Sequence, residues 1–307
     1  MLISHLSTSA LRARLREGLQ LKLGPFSARI TSDVPGIAHG IATLYTDFSV
    51  ETDNDFADFH VRLATTPGWR RWLRPQINFY FDGQKPFKPL PLDQAFAMME
   101  WGLNWCITGY MHQYLVLHAA VLARDDDALI LPGAPGAGKS TLTAALALRG
   151  WRLLSDELTL IDPQTGLLHG LARPVSLKNQ SIDVIRAFAP EAVIGPIARD
   201  TSKGTVAHLK PPTLSVTQAA VPAKPAWVVF PRWEKDAALM FSPMSKSLAF
   251  MWLAEQGFNY NVHGETGFNL LTKTIDACSC HELRYGNLDE AVAAFSKLEL
   301  ESGHARG

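Results

Sequence analysis

Nine consecutive residues, Gly133-Ala134-Pro135-Gly136-Ala137-Gly138-Lys139-Ser140-Thr141, spell the G-x-x-x-x-G-K-S/T phosphate-binding loop, the Walker A or P-loop motif. The motif constrains the fold around it, because it works only where a strand enters the loop and a helix leaves it. Both neighbours are present: Ala128-Leu129-Ile130-Leu131 is a short apolar run that suits a buried strand, and residues 140–149 suit a helix closed by Gly150. The glycines leave backbone N–H groups free to converge on phosphate oxygens, and the helix aims its positive end at them. Lys139 can reach the β- and γ-phosphates, and the Ser140 hydroxyl can join a Mg²⁺ shell. The motif predicts a bound nucleoside polyphosphate.

Composition narrows the rest. A chain of 307 residues can form one large or two ordinary domains. Lysine and arginine total 29 against 29 aspartates and glutamates, so the charge balance gives no sign of broad electrostatic binding to nucleic acid or an anionic membrane. Three cysteines cannot make a disulfide framework and fit a reducing cytosol. Residues 1–20 carry arginines and a glutamate where a secretory signal needs an apolar core, so a cytoplasmic location is expected. The most apolar long stretch, residues 95–123, is interrupted by Glu100, Asn104, His112, Gln113 and His118, and is too polar for a membrane span.

The chain is expected to divide near residue 91. Residues 1–91 look like a small α+β domain, with strands at 19–23, 59–63 and 76–81 and a helix over 35–48. The proline-rich stretch 86–91 reads as a linker, and residues 92–307 as the α/β domain that carries the loop. A helix over 92–111 opens that domain, with Glu100, Asn104 and Thr108 one turn apart on its polar side and Phe96, Trp101 and Trp105 as core packing.

Upstream of the loop, residues 114–123 read as one strand and Arg124-Asp125-Asp126-Asp127 as the turn into the loop strand. Counting across that hairpin puts Leu122 opposite Leu129 and Ala120 opposite Leu131, which brings His118 level with Gly133. There an imidazole can polarise or position a reacting group, or it is a core histidine with both nitrogens satisfied. Downstream, residues 151–155 form a strand that ends in Asp156-Glu157. Two acids where a buried strand emerges after the phosphate-binding helix suit metal binding, and a carboxylate that takes a hydroxyl proton. The bland alternative is a polar strand end opening a hairpin through the turn Asp162-Pro163-Gln164-Thr165-Gly166.

Three further features carry weaker signals. Lys203 sits in a glycine-containing loop before the strand 205–209, and Arg232 stands at the exit of the buried strand 227–230, where a guanidinium can fork onto phosphate. Cys278-Ser-Cys280-His281 lacks a second ligand group at zinc-like spacing and reads as a helix-to-strand passage.

Leu117-His118-Ala119-Ala120-Val121, the loop Gly133 to Thr141, and Arg152-Leu-Leu-Ser-Asp156-Glu157 together resemble the HPr serine kinase/phosphorylase family. That family's catalytic domain shares its fold group with phosphoenolpyruvate carboxykinase. Motifs across nearly the whole chain are similar to the branch called HPr-kinase-related kinase A, often encoded near exosortase and PqqD-like genes. They include Glu100-Trp-Gly-Leu-Asn-Trp105, Pro174-Val-Ser-Leu-Lys-Asn179, Lys203-Gly-Thr-Val-Ala-His208 and Gly257-Phe-Asn-Tyr260.

The resemblance implies an α/β P-loop kinase domain of the HPr kinase/PEP carboxykinase-like type behind a small N-terminal α+β domain. It implies Asp156 as proton acceptor tuned by His118, with Lys139 and the loop amides on the phosphates and Ser140 and Glu157 on Mg²⁺. The family carries Asp where this chain has Glu157, and its later metal-binding glutamate has no counterpart in residues 174–185, where Lys178 and Asn179 stand. Lys178 joins Lys203 and Arg232 as an outlying candidate. The expected activity is transfer of the γ-phosphoryl of ATP, with Mg²⁺, to a hydroxyl on a small protein, a peptide or a metabolite. Kinase activity transfers from the resemblance better than phosphorolysis, and the ring-like assemblies of HPr kinases place a homo-oligomer among the expectations. A nucleotide-gated binding module and a P-loop ATPase coupled to motion are the alternatives.

Overall fold

The computed structural model describes residues 1–51, 56–68, 73–134 and 136–304; Pro135 of the phosphate loop lies outside the described residues. The chain forms two compact units, Met1–Met111 with Gly170–Ala220, and His112–His169 with Val221–Gly307. Their division does not fall at residues 91 and 92: the helix Ala95–Tyr110 and the returning stretch Gly170–Ala220 belong to the first unit. Local periodicity marks a helix but not the body it packs into. Among the described residues, no helix is long and apolar enough to cross a membrane.

The first unit contains a five-stranded sheet in the order Leu19–Leu23, Phe26–Ser32, Phe59–Thr65, Gln76–Phe81, Leu90–Pro91. Alternation sets its buried face: Phe59, Val61 and Leu63 point inward while His60 and Arg62 face solvent. The helix Ala95–Tyr110 does not turn Glu100 to water. Glu100 is 2% exposed. Its carboxylate accepts from the Arg173 guanidinium at 2.8 Å and from the Tyr45 hydroxyl at 2.6 Å. Arg173 also donates to the Glu100 carbonyl at 3.0 Å and to Asn104 Oδ1 at 2.8 Å. Burial, reinforced by the Glu100 charge, holds the Tyr45 phenol well above its ordinary range. Burial alone would lower the Arg173 pKa, but the charge of Glu100 raises it instead. A smaller antiparallel sheet joins Val175–Lys178, Gly204–Leu209 and Ala198–Thr201.

The second unit is built on a six-stranded sheet in the order Met240–Pro243, Ser279–Tyr285, Lys224–Trp233, Asp127–Pro132, Ala119–Arg124, Arg152–Ser155. Helices Lys246–Ala254 and Tyr260–Ala277 cover one side of it, through a core that includes Val121, Ile130, Val228, Leu253 and Leu271. The hairpin register is the expected one, with Leu122 opposite Leu129 and Ala120 opposite Leu131. The strand read as continuous over 114–123 is instead two. Leu115–Leu117 pairs with Thr159–Ile161 in a separate three-stranded sheet, Ala119–Arg124 enters the large sheet, and His118 is the single residue between them.

Cys278 follows the end of the helix Tyr260–Ala277, and Cys280 and His281 lie in the strand Ser279–Tyr285. Among the described residues no group of three or more His, Cys, Asp or Glu side chains could hold a metal ion. All three cysteines are buried. Burial pushes the Cys106 thiol up to about 12 and also raises those of Cys278 and Cys280. Since the thiolate is the reactive species, the native protein is expected to leave all three unreacted with an aromatic disulfide reagent at pH 8. The denatured chain should react at all three. Prompt reaction of the folded protein would contradict this burial.

Candidate functional site

Three segments distant in sequence end at one edge of the six-stranded sheet. Asp127–Pro132 runs parallel to Lys224–Trp233, which runs parallel to Ser279–Tyr285, so all three deliver their C-terminal ends to that edge. Ala119–Arg124 is antiparallel to the loop strand and therefore starts there, just after His118. Arg152–Ser155, antiparallel in turn, finishes there and hands the chain to Asp156 and Glu157. The sheet is mixed, and the C-terminal ends of the parallel strands of an open α/β sheet are where ligands bind.

The phosphate loop turns on two glycines with left-handed backbone, Gly136 at φ +88° and Gly138 at φ +83°, and Gly138 caps the helix Lys139–Leu148. Neighbouring strand ends grip it. The Trp233 N–H donates to the Ala137 carbonyl at 3.0 Å and the Tyr285 hydroxyl to the Gly138 carbonyl at 3.2 Å. Burial raises the Tyr285 phenol, which therefore remains a donor through the physiological range. At Gly133 an added Cβ would lie 3.4 Å from Ala137 Cβ and 3.7 Å from Lys139 Cβ, so a methyl would fill the cradle.

The two left-handed glycines separate backbone strain from crowding. A Cβ at Gly138 would lie 2.4 Å from the Tyr285 hydroxyl and 2.9 Å from Trp233 Cβ, whereas one at Gly136 meets nothing within 4 Å. Gly136→Ala is expected to cost only the left-handed penalty of about 1–2 kcal/mol. Gly138→Ala should cost visibly more and abolish the thermal stabilisation by MgATP. Melting curves with and without nucleotide check this, and equal melting of the two variants would refute the grip on Gly138.

Lys139 is 9% exposed, and its Nζ donates to the main-chain carbonyl of Asp156 at 3.0 Å. Loop and acid pair are thereby tied together. Asp156 is buried and Glu157 half-buried, in a turn closed by the Leu158 N–H donating to Ser155 Oγ at 3.1 Å. Ser140 and Thr141, half-buried, occupy the first turn of the loop helix, and Ala134 and Gly136 are exposed on the loop. Residues 256–259 hold His118. Its main-chain N–H donates to the Gln256 carbonyl at 2.7 Å, and its ring stands 5.7 Å from that of Phe258. Asn259 Oδ1 accepts from the Val116 N–H, and its amide donates to the Tyr114 carbonyl, both at 2.8 Å.

Loop, Lys139, Ser140, the acid pair and His118 thus share one sheet edge. Arg232 flanks it, three-quarters exposed and ion-paired to Glu234 at 2.7 Å. Lys178 and Lys203 belong to the first unit; Lys178 ends a strand there, and Lys203 stands in a hairpin turn with its Nζ 5.6 Å from the centre of the Trp101 ring. Sequence reasoning missed Trp233 and Tyr285, and it singled out Gly257-Phe-Asn-Tyr260 as a motif without placing that segment beside His118. Trp233 lies one residue beyond a recognised strand exit and was within reach; the others depend on strand and loop pairings that no local pattern reports.

No family model and no curated protein matches the chain. Among solved structures, the HPr(Ser) kinase/phosphatase from Coxiella burnetii is similar at 14% identity, over 61% of this chain and 98% of that one, with a TM-score of 0.26. A superposition that loose assigns this chain neither a family nor an activity.

Proposed function

We propose that the chain is an ATP- and Mg²⁺-dependent kinase that transfers the γ-phosphoryl group to a hydroxyl acceptor, a serine on a small protein or peptide. The observation that carries this reading is the bond from Lys139 Nζ to the Asp156 carbonyl at 3.0 Å, which sets a complete phosphate loop against a buried acid. The methyl-sized space at Gly133 and the left-handed Gly136 and Gly138 suit loop amides closing on phosphate oxygens. Ser140 and Glu157 offer the hard oxygen donors that Mg²⁺ takes, and the bound ion would neutralise charge on the bridging oxygen.

In this reading Lys139 and the loop amides hold the β- and γ-phosphates in line. Asp156 accepts the proton as the acceptor O–H bond breaks and its oxygen bonds to the γ-phosphorus. The bond from the γ-phosphorus to the β–γ bridging oxygen breaks, and ADP leaves with that electron pair. His118, whose main chain is anchored on the Gln256 carbonyl, orients the acid or the acceptor hydroxyl through its imidazole. The test is transfer of label from γ-labelled ATP and Mg²⁺ into fractionated extract of the source cells. A labelled polypeptide supports the protein-acceptor form, and a labelled small molecule replaces it with a metabolite kinase. Tight ATP binding with no labelled product would overturn the kinase reading in favour of a nucleotide-gated module.

A further inference from the structure

A cavity of about 710 Å³ opens along one side of the phosphate loop, with residues 132–134, 136 and 137 in its wall. The rest of the wall comes from the ends of Lys224–Trp233 and Ser279–Tyr285 and from the region of the helix Lys246–Ala254. Phe230 and Arg232 share one face of their strand, and the parallel register sets Glu282 beside Phe230 and Arg284 beside Arg232. Trp252 closes the side, its ring centre 5.3 Å from that of Phe230 at 82°. Glu234 aligns the two guanidiniums, taking Nε of Arg232 at 2.7 Å and Nε of Arg284 at 2.6 Å on its two oxygens.

Sidedness and charge say what fits. In the strand order, the strands next to His118 and Asp156 lie on one flank of the loop strand, and those lining the cavity lie on the other. A phosphate chain with its γ-end at Asp156 therefore leads its other end toward the cavity. Arg232 and Arg284 are outnumbered there by Glu234, Glu255 and Glu282, which disfavours a second polyanionic group. Aromatic walls with a few fixed polar groups suit a flat, uncharged, hydroxyl-bearing ligand. Carboxylates are natural acceptors for ribose hydroxyls.

We propose that this cavity binds the nucleoside half of the nucleotide, the base against Trp252 and the ribose hydroxyls among the glutamates. The proposal rests on the phosphate loop of the kinase reading, and calorimetry on the full chain separates the two. MgATP and magnesium tripolyphosphate are titrated into wild type, Trp252→Ala, Trp252→Phe and Lys139→Ala. Trp252 is 39% exposed, so truncating it removes little core. Trp252→Ala should weaken MgATP about tenfold, the loss of one base-stacking contact, with tripolyphosphate unchanged. Trp252→Phe should recover most of that loss, and Lys139→Ala should weaken both ligands. MgATP bound equally by wild type and Trp252→Ala, or both ligands weakened alike by that change, would overturn the nucleoside site alone. So would wild type holding tripolyphosphate as tightly as ATP. Failure of both ligands to bind wild type would overturn the loop reading and this one with it.

Discussion

Asp156→Asn is expected to lower phosphoryl transfer by about 10²–10⁴-fold, the range for losing a positioned general base. MgATP affinity should stay near the wild-type value. The substitution is nearly isosteric at a buried position, and it keeps the main-chain carbonyl that anchors Lys139, because that bond does not involve the side chain. Loop, lysine and helix start therefore stay in place while the proton acceptor is removed. Turnover with a saturating acceptor, beside calorimetric titration of MgATP into both proteins, reads the two quantities apart. Equal turnover in wild type and variant would remove Asp156 from the chemistry. A matching collapse of ATP affinity would make it a structural or metal-binding residue instead of a base.

The second large effect concerns stability in the first unit. Arg173→Met leaves the Glu100 carboxylate buried beside Tyr45 without the guanidinium that pairs with it, and breaking such a pair costs about 3–5 kcal/mol. For a body of this size that corresponds to a fall of about 10 °C in Tm. The double variant Glu100→Leu/Arg173→Met should regain most of the loss, since apolar side chains of similar volume often replace buried pairs at little cost. Chemical denaturation of the single and double variants measures this. A single variant within about 1 kcal/mol of wild type, as for an exposed pair, would refute a buried charge held by Arg173.

What was legible in the sequence depended on the span of the interactions. The loop, its strand and its helix stand within a single run of residues, and the hairpin register follows from counting across one turn. The polar spacing of Glu100 and Asn104 was visible too, but its meaning was inverted. A polar stripe faces solvent unless a distant cation covers it, and Arg173 lies some seventy residues away with no local signature. The same holds for Tyr285 on Gly138 and for Gln256 on His118. The return of Gly170–Ala220 to the first unit is likewise a fact of long-range pairing, which is why a boundary at a proline-rich stretch did not mark the compact bodies.

The break at His118 has a consequence for how this chain can change length. A loop usually absorbs an extra residue, but here one residue joins two strands that are each locked in a different sheet, Leu115–Leu117 to Thr159–Ile161 and Ala119–Arg124 to Asp127–Pro132. An insertion on either side must slip one of those registers, and a slip of one turns every side chain of that strand to the opposite face. Insertions and deletions should therefore be absent from residues 115–124 among homologues, while the buried positions there exchange only among apolar side chains of similar size.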